Sequence, residues 1–311
     1  MSRLTVAGAL LIALVLASIS TFAASAERTV SVAAREPAPA AASIRPQPEP
    51  PAVSAAVAGG GAAIEGDRMS RITAAGELVV AVVNLDRYPF FYTNAKGELV
   101  GSDIDLARDI AHELGVEAKF NRTSATFDGV VDLVAKGQAD IAISKLSVTL
   151  PRARQVRFTR PYVELAQGLM LNRVRLTALS GNEKDIVTQL DHPDHHLGAV
   201  KGTSYVGFGH TLFPEAQFTE FPDKNAMFAA VLGGDVIGVL YDENEIKQYI
   251  FEKPDRLINL KVHMLPGHTD PIGIAVSDAQ LQYWLDTYLE LKRVKLSVND
   301  LLQKYPRPEA R

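Results

Sequence analysis

The chain has 311 residues, 47% of them apolar, a net charge of -4 and no cysteine. This is enough for about two compact units with real cores. The composition excludes disulfides, thiolate chemistry and a lipid-modified cysteine, and the lack of any basic run gives no sign of a nucleic-acid binder.

The N-terminus speaks to compartment. Arg3 is followed by an uncharged stretch, 4–26, with an apolar centre at 9–16 and the small-residue triplet Ala24-Ser25-Ala26 before Glu27. This pattern predicts a secretory signal peptide over 1–26 and a periplasmic protein. An uncleaved membrane anchor is the rival reading, since the uncharged stretch is just long enough to span a bilayer. Residues 27–68 shift to Ala, Pro, Val and Gly, with Pro46, Pro48, Pro50 and Pro51 ahead of Gly59-Gly60-Gly61. Such a segment buries too little apolar surface to offset its chain entropy and is expected to be an extended linker.

From Ile72 onward the pattern is strand, helix, strand, repeated. The valine-rich run 78–83 reads as a strand buried on both faces. Ser102 or Asp103 is expected to cap a helix with Ile104, Ala107, Ala111 and Leu114 on one face, stopped by Gly115. A second helix is predicted over 127–136 and a strand over 140–144, which completes a βαβαβ half. The cycle then repeats with a strand at 197–200, helices from Ser204 and over 225–232, a strand at 236–241 and a helix from Asp242. An apolar strand at 272–276 and an amphipathic helix over 279–292 close the pattern. Two α/β units in series imply a cleft, and ligands of open α/β sheets bind beyond the carboxyl ends of the strands.

The strand ends carry a coherent chemistry. They hold Arg87 and Tyr88, then Ser144, Lys145, Ser147 and Arg152, then Thr203 and Ser204, then Asp242. A carboxylate wants a planar guanidinium with hydroxyl and amide donors, and an ammonium wants an acceptor carboxylate. A helix starting at Thr203 and Ser204 would add backbone donors for an anion.

Several motifs together resemble one family. They are Tyr88-Pro89-Phe90, the stretch 96–107 (KGELVGSDIDLA), Phe127-Asp128, the stretch 136–142 (KGQADIA), Ser144 to Arg152 with Ser147 and Thr149 between, and Phe158 with Pro161-Tyr162. This combination resembles the periplasmic polar-amino-acid-binding proteins of ABC importers, the type 3 solute-binding proteins, over about 76–276.

The resemblance implies an α/β, type II periplasmic-binding-protein-like fold: two α/β lobes joined by a two-strand hinge, with a ligand cleft between them. Its crossing strands are expected near 171–173 and 265–268, so that 69–172 plus 268–305 form lobe 1, 173–267 form lobe 2 and 306–311 a tail. It puts the α-carboxylate arginine on Arg152, hydroxyl donors on Ser147, Thr203 and Ser204, the ammonium-binding acid on Asp242 and the aromatic wall on Phe127. It implies no catalytic residue, cofactor or metal, and a monomer that delivers its ligand to a membrane permease.

Three departures bear on the ligand. Arg87 stands where the family often has an aromatic wall. Asn84 stands where members that bind basic amino acids place an acid. Lys145 stands where Ser or Gly is common. These lean toward an acidic or polar ligand, or a dicarboxylate, and away from lysine or arginine.

Plainer readings stand beside these. Asp242 is also a natural helix N-cap, Phe127 a natural core residue, and Arg87 and Lys145 natural solvated charges. The stretch 191–196 (DHPDHH) has no ordered ligand spacing for a metal. Two other functions are kept in view. One is a dehydratase of the same fold acting on a prephenate-like acid, with Asp242 or Glu243 as general acid. The other is a sensory or accessory module held out on the linker.

Overall fold

The computed structural model describes residues 68–179 and 186–305. The expected signal segment, the linker up to residue 67 and the 306–311 tail lie outside the described residues.

The first lobe starts with helix α1 (Arg68–Ala75) and strand β1 (Glu77–Ala81). Leu78, Val80 and Ala81 of β1 are fully buried, as the apolar run predicts. A hairpin, β2 (Tyr92–Thr93) and β3 (Leu99–Val100), precedes α2 (Ser102–Glu113). The N-cap of α2 is Gly101, not Ser102 or Asp103, which sit buried in its first turn. Gly101 has φ 126, and a Cβ there would lie 2.3 Å from the Phe90 carbonyl oxygen. The close backbone approach selects glycine and leaves no room for a capping side chain.

Strand β4 (Glu117–Asn121) pairs parallel with β1. It carries Glu117, Lys119 and Asn121 on a half-exposed sheet edge, so it has no apolar run to announce it. Helix α3 (Phe127–Ala135) is capped by Thr126, whose Oγ1 accepts from Gly129 N at 3.1 Å. Strand β5 (Ile141–Ala142) returns parallel to β1. The single-turn helix α4 (Leu150–Ala153) is capped by Thr149 and has Pro151 in its first turn, and β6 (Arg157–Phe158) follows.

The long strand β7 (Val163–Asn172) then carries the chain into the second lobe. There α5 (Arg173–Thr177) and α6 (Ile186–Leu190) precede β8 (His196–Val200) and α7 (Ser204–Leu212). Next come β9 (Gln217–Phe221), α8 (Lys224–Gly233), β10 (Gly238–Asp242) and α9 (Glu243–Glu252). Strand β11 (Leu260–Ile272) runs antiparallel to β7 and returns to the first lobe, which β12 (Ala275–Val276), α10 (Ala279–Leu291) and α11 (Val298–Lys304) complete.

Two five-stranded sheets result. The first has the order β4-β1-β5-β12-β6 and the second β11-β7-β10-β8-β9. Each has its own apolar core. One core runs from Ile72 to Leu165 and resumes at Ile272, and the other runs from Leu169 to Leu265. The changeover in β7 thus falls between Leu165 and Leu169, a few residues ahead of 171–173. From Leu169 to Asn172 the strand is buried throughout, so burial pattern offers no mark of where the lobes part. The run 272–276 is not one strand: Ile272 ends β11, and β12 pairs antiparallel with β5.

Candidate functional site

The carboxyl ends of β1, β5, β8 and β10 converge on a narrow cavity between the lobes. It holds about 320 Å³ of empty space, its open mouth included, and Arg87, Phe127, Lys145, Ser147, Arg152, Thr203, Ser204 and Asp242 line it. Tyr205, Tyr241 and Asp270 complete the wall. Outside Arg152 the cleft widens into a groove bordered by Asp128, Leu150 and Phe208.

Arg152 is positioned by the α4 turn. Thr149 caps that turn, and the side chain is held by two bonds: Nε donates to Asp128 Oδ1 at 3.0 Å and one terminal nitrogen donates to the Ser147 carbonyl at 3.1 Å. The Arg152 side chain is 7% exposed while that of Asp128 is 66% exposed, so solvent weakens the partner's charge and leaves the buried cation only partly balanced. Across the gap, α7 starts at Ser204 with no side-chain cap on its first amides. The Thr203 hydroxyl donates back to Val200 O at 2.7 Å instead. An uncapped helix N-terminus facing a pinned guanidinium is a suitable seat for an anion. The two lobes touch here, with Ser147 Oγ 2.7 Å from Ser204 Oγ.

A second cluster crosses the gap. Lys145 has φ 46, and its Nζ donates to Asp242 Oδ2 at 2.8 Å and Glu245 Oε1 at 3.3 Å. Its backbone N–H donates to Asp103 Oδ2 at 2.6 Å. Asp242 Oδ1 caps α9, accepting from Asn244 N and Glu245 N at 3.0 and 3.1 Å. Glu245 Oε2 takes Lys224 Nζ at 2.9 Å, and Arg87 Nε lies 3.8 Å from Oε1. Burial would raise the Glu245 carboxyl, but Lys145, Lys224 and Arg87 outweigh it and hold the group at about 2. Asp242 is raised, by burial first and by the Glu245 charge second, against the pull of Lys145. Burial would lower Lys145, yet the charges of Asp242 and Glu245 keep it above its ordinary value.

Asp270 stands apart from this cluster. Its Oδ2 accepts from Ser147 Oγ at 2.8 Å and from Tyr205 OH at 3.1 Å, while Oδ1 is buried with no hydrogen-bond partner. Burial pushes its carboxyl up to about 7, the Asp242 charge adding to the rise and the two hydroxyls and Lys145 opposing it.

Tyr88 and Ser144 do not line the cavity. The Tyr88 phenol turns away to donate to the Tyr305 carbonyl and meets Tyr92 edge-on at 5.3 Å. The Ser144 hydroxyl is consumed inside the first lobe, where it accepts from Val83 N at 3.0 Å. Both belong to the core that shapes the wall. Arg87 and Lys145 both face inward. Tyr205 and Tyr241 escaped the sequence reading although each is adjacent to a residue it named. Asp270 escaped because β11 brings it in from the returning hinge strand. In the 191–196 stretch, Asp191 accepts from Glu215 N at 2.7 Å and His192 from Asp194 N at 3.2 Å. Among the described residues no group of three or more His, Cys, Asp or Glu side chains could hold a metal ion.

The family profile of bacterial extracellular solute-binding proteins, family 3, matches residues 79–305. An arginine-binding protein and a dehydratase are among the curated relatives similar in sequence. The ABC transporter arginine-binding protein 1 of Escherichia coli K12 is 26% identical over 166 residues, 53% of this chain and 63% of that protein. Cyclohexadienyl dehydratase of Pseudomonas aeruginosa is 27% identical over 181 residues, 58% of this chain and 64% of that protein. The chain therefore spans just under two thirds of the length of these two relatives. A solved amino acid ABC transporter substrate-binding protein from Streptococcus pneumoniae, bound to L-arginine, is 27% identical with a TM-score of 0.59 over 76% of this chain and 96% of that one.

Proposed function

Because the chain belongs to the bacterial extracellular solute-binding proteins, family 3, we propose that it captures a small amino acid or related carboxylate outside the cytoplasm. Acting as a monomer, it closes its lobes on the ligand and delivers it to the permease of an ABC importer. The observation that carries this reading is the buried Arg152 guanidinium, pinned by Asp128 and the Ser147 carbonyl and lining the interlobe cavity opposite the uncapped start of α7.

The first lobe supplies Arg152, Ser147 and Phe127, and the ligand docks on these first. Rotation about β7 and β11 brings up Thr203, Ser204 and Asp242. Contacts made only in the closed form shift the equilibrium toward it. A charge-assisted hydrogen bond contributes about 1.5–3 kcal/mol, so a few convergent ones give micromolar binding or better.

A thermal-shift screen of amino acids and organic acids tests the reading. A true ligand in excess raises stability with the logarithm of its concentration over its dissociation constant. No shift with any small carboxylate contradicts it.

A second reading has one observation of its own. Asp270 is a buried carboxyl held at about 7 inside the cleft, a poise that suits a general acid, and a dehydratase is among the relatives. On this reading the chain dehydrates a prephenate-like acid. Incubation with prephenate and measurement of phenylpyruvate absorbance separates the two: capture predicts no turnover.

A further inference from the structure

Asp242, the carboxylate that lines the cavity from the second lobe, and Glu245 behind it have already been given an ammonium. Lys145 reaches out of the first lobe and sets its own ammonium 2.8 Å from Asp242 and 3.3 Å from Glu245 in the second. All four oxygens of these acids are engaged by protein donors. Asp242 Oδ1 takes the α9 amides and Oδ2 takes Lys145. Glu245 Oε1 takes Lys145, with Arg87 behind it, and Oε2 takes Lys224.

Lys145 is built into this position. Its side chain is 6% exposed, its left-handed backbone is tied to Asp103, and its ammonium lies over the rings of Phe90 and Tyr241 at 5.4 and 5.9 Å. A left-handed backbone is costly for a side chain such as lysine, so the fold invests conformational energy to hold the ammonium here. The cations Arg87 and Arg152 line the same cavity. A ligand ammonium entering it would face three cations and would have to displace a buried ion pair to reach Asp242; the other lining carboxyl, Asp270, is bound through Oδ2 by the Ser147 and Tyr205 hydroxyls.

The geometry points to a ligand that is an organic acid without a free ammonium group, such as a hydroxy-, oxo- or dicarboxylate, with Lys145 as the residue that sets this preference. The inference rests on the carboxylate-capture reading and narrows it. The ligand carboxylate docks on Arg152 and the start of α7, and its remaining oxygens meet the Lys145 and Arg87 side of the cavity.

Matched pairs test it by isothermal titration calorimetry on the purified protein: L-aspartate against L-malate, L-glutamate against 2-oxoglutarate, L-alanine against L-lactate, and L-phenylalanine against phenylpyruvate. The wild type is expected to prefer the member lacking the ammonium at least tenfold in whichever pair binds. Lys145→Gly, which suits the left-handed backbone, frees the acid pair and should move that ratio at least tenfold toward the amino acid. Lys145→Met, which keeps the stem and drops the charge, serves if the glycine variant does not fold.

A wild type that prefers the amino acid overturns the inference and leaves the capture reading intact. So does an unchanged ratio in a folded Lys145 variant. Amino-acid binding that disappears in Asp270→Asn places the ammonium on Asp270 instead, and also overturns it. If neither member of any pair binds the wild type and no small carboxylate shifts its melting, the capture reading fails and takes this inference with it.

Discussion

Replacing Asp270 with Asn removes one buried carboxyl and keeps its shape. In the folded protein this group holds its proton up to about 7, against 3.8 for an ordinary aspartate. Between those values the native state binds a proton that the unfolded chain has released, so stability falls as pH rises, by about 1.4 kcal/mol per unit. The loss begins near pH 4 and is complete just above 7. From pH 5 to pH 8 it amounts to about 3 kcal/mol for this group. Asp103 is also pushed up to about 7 by burial and loses stability in the same direction, but it does so in both proteins. Urea denaturation of the wild type and Asp270→Asn at pH 5 and pH 8 isolates the difference. The variant should gain about 3 kcal/mol on the wild type across that interval. Stability curves that stay parallel from pH 5 to pH 8 would refute the claim that burial pushes the Asp270 carboxyl up to about 7.

Two further substitutions probe the framework of the site. Gly101→Ala drives a methyl into the Phe90 carbonyl at 2.3 Å and forces an alanine to φ 126, so a loss above about 2 kcal/mol is expected by thermal melting; an unchanged melt contradicts the close approach. Glu245→Gln leaves Lys145 paired with Asp242 alone and takes away the carboxylate that Lys224 and Arg87 meet, and should cost about 3–5 kcal/mol at pH 7. Because the folded-state carboxyl sits at about 2, that advantage is full above the ordinary glutamate range and fades as pH falls toward 2; a cost that persists at pH 2 counts against the ion cluster.

Much of the framework was legible because it rests on local rules. The valine-rich 78–83 run became the buried β1, and the Thr149-Leu150-Pro151-Arg152 frame became a capped turn that aims Arg152 inward. Asp242 was readable as a cap and is one, through Oδ1. The acid Glu245, one helical turn on, became visible only with Lys145 beside it. The direction of Lys145 depends on a left-handed backbone that a lysine does not advertise. Asp270 reaches the cavity only because β11 runs back along β7, a pairing between residues about 100 positions apart. Polar edge strands such as β4 lack the apolar periodicity that marks a strand in sequence.

Capture depends on Arg152 gripping a ligand carboxylate in the interlobe cavity. Isothermal titration calorimetry of the wild type and Arg152→Ala with the tightest-binding carboxylate measures this directly. Loss of a bidentate, charge-assisted contact predicts binding at least about 100-fold weaker, with both proteins folded by circular dichroism. Equal dissociation constants would mean that the carboxylate sits elsewhere.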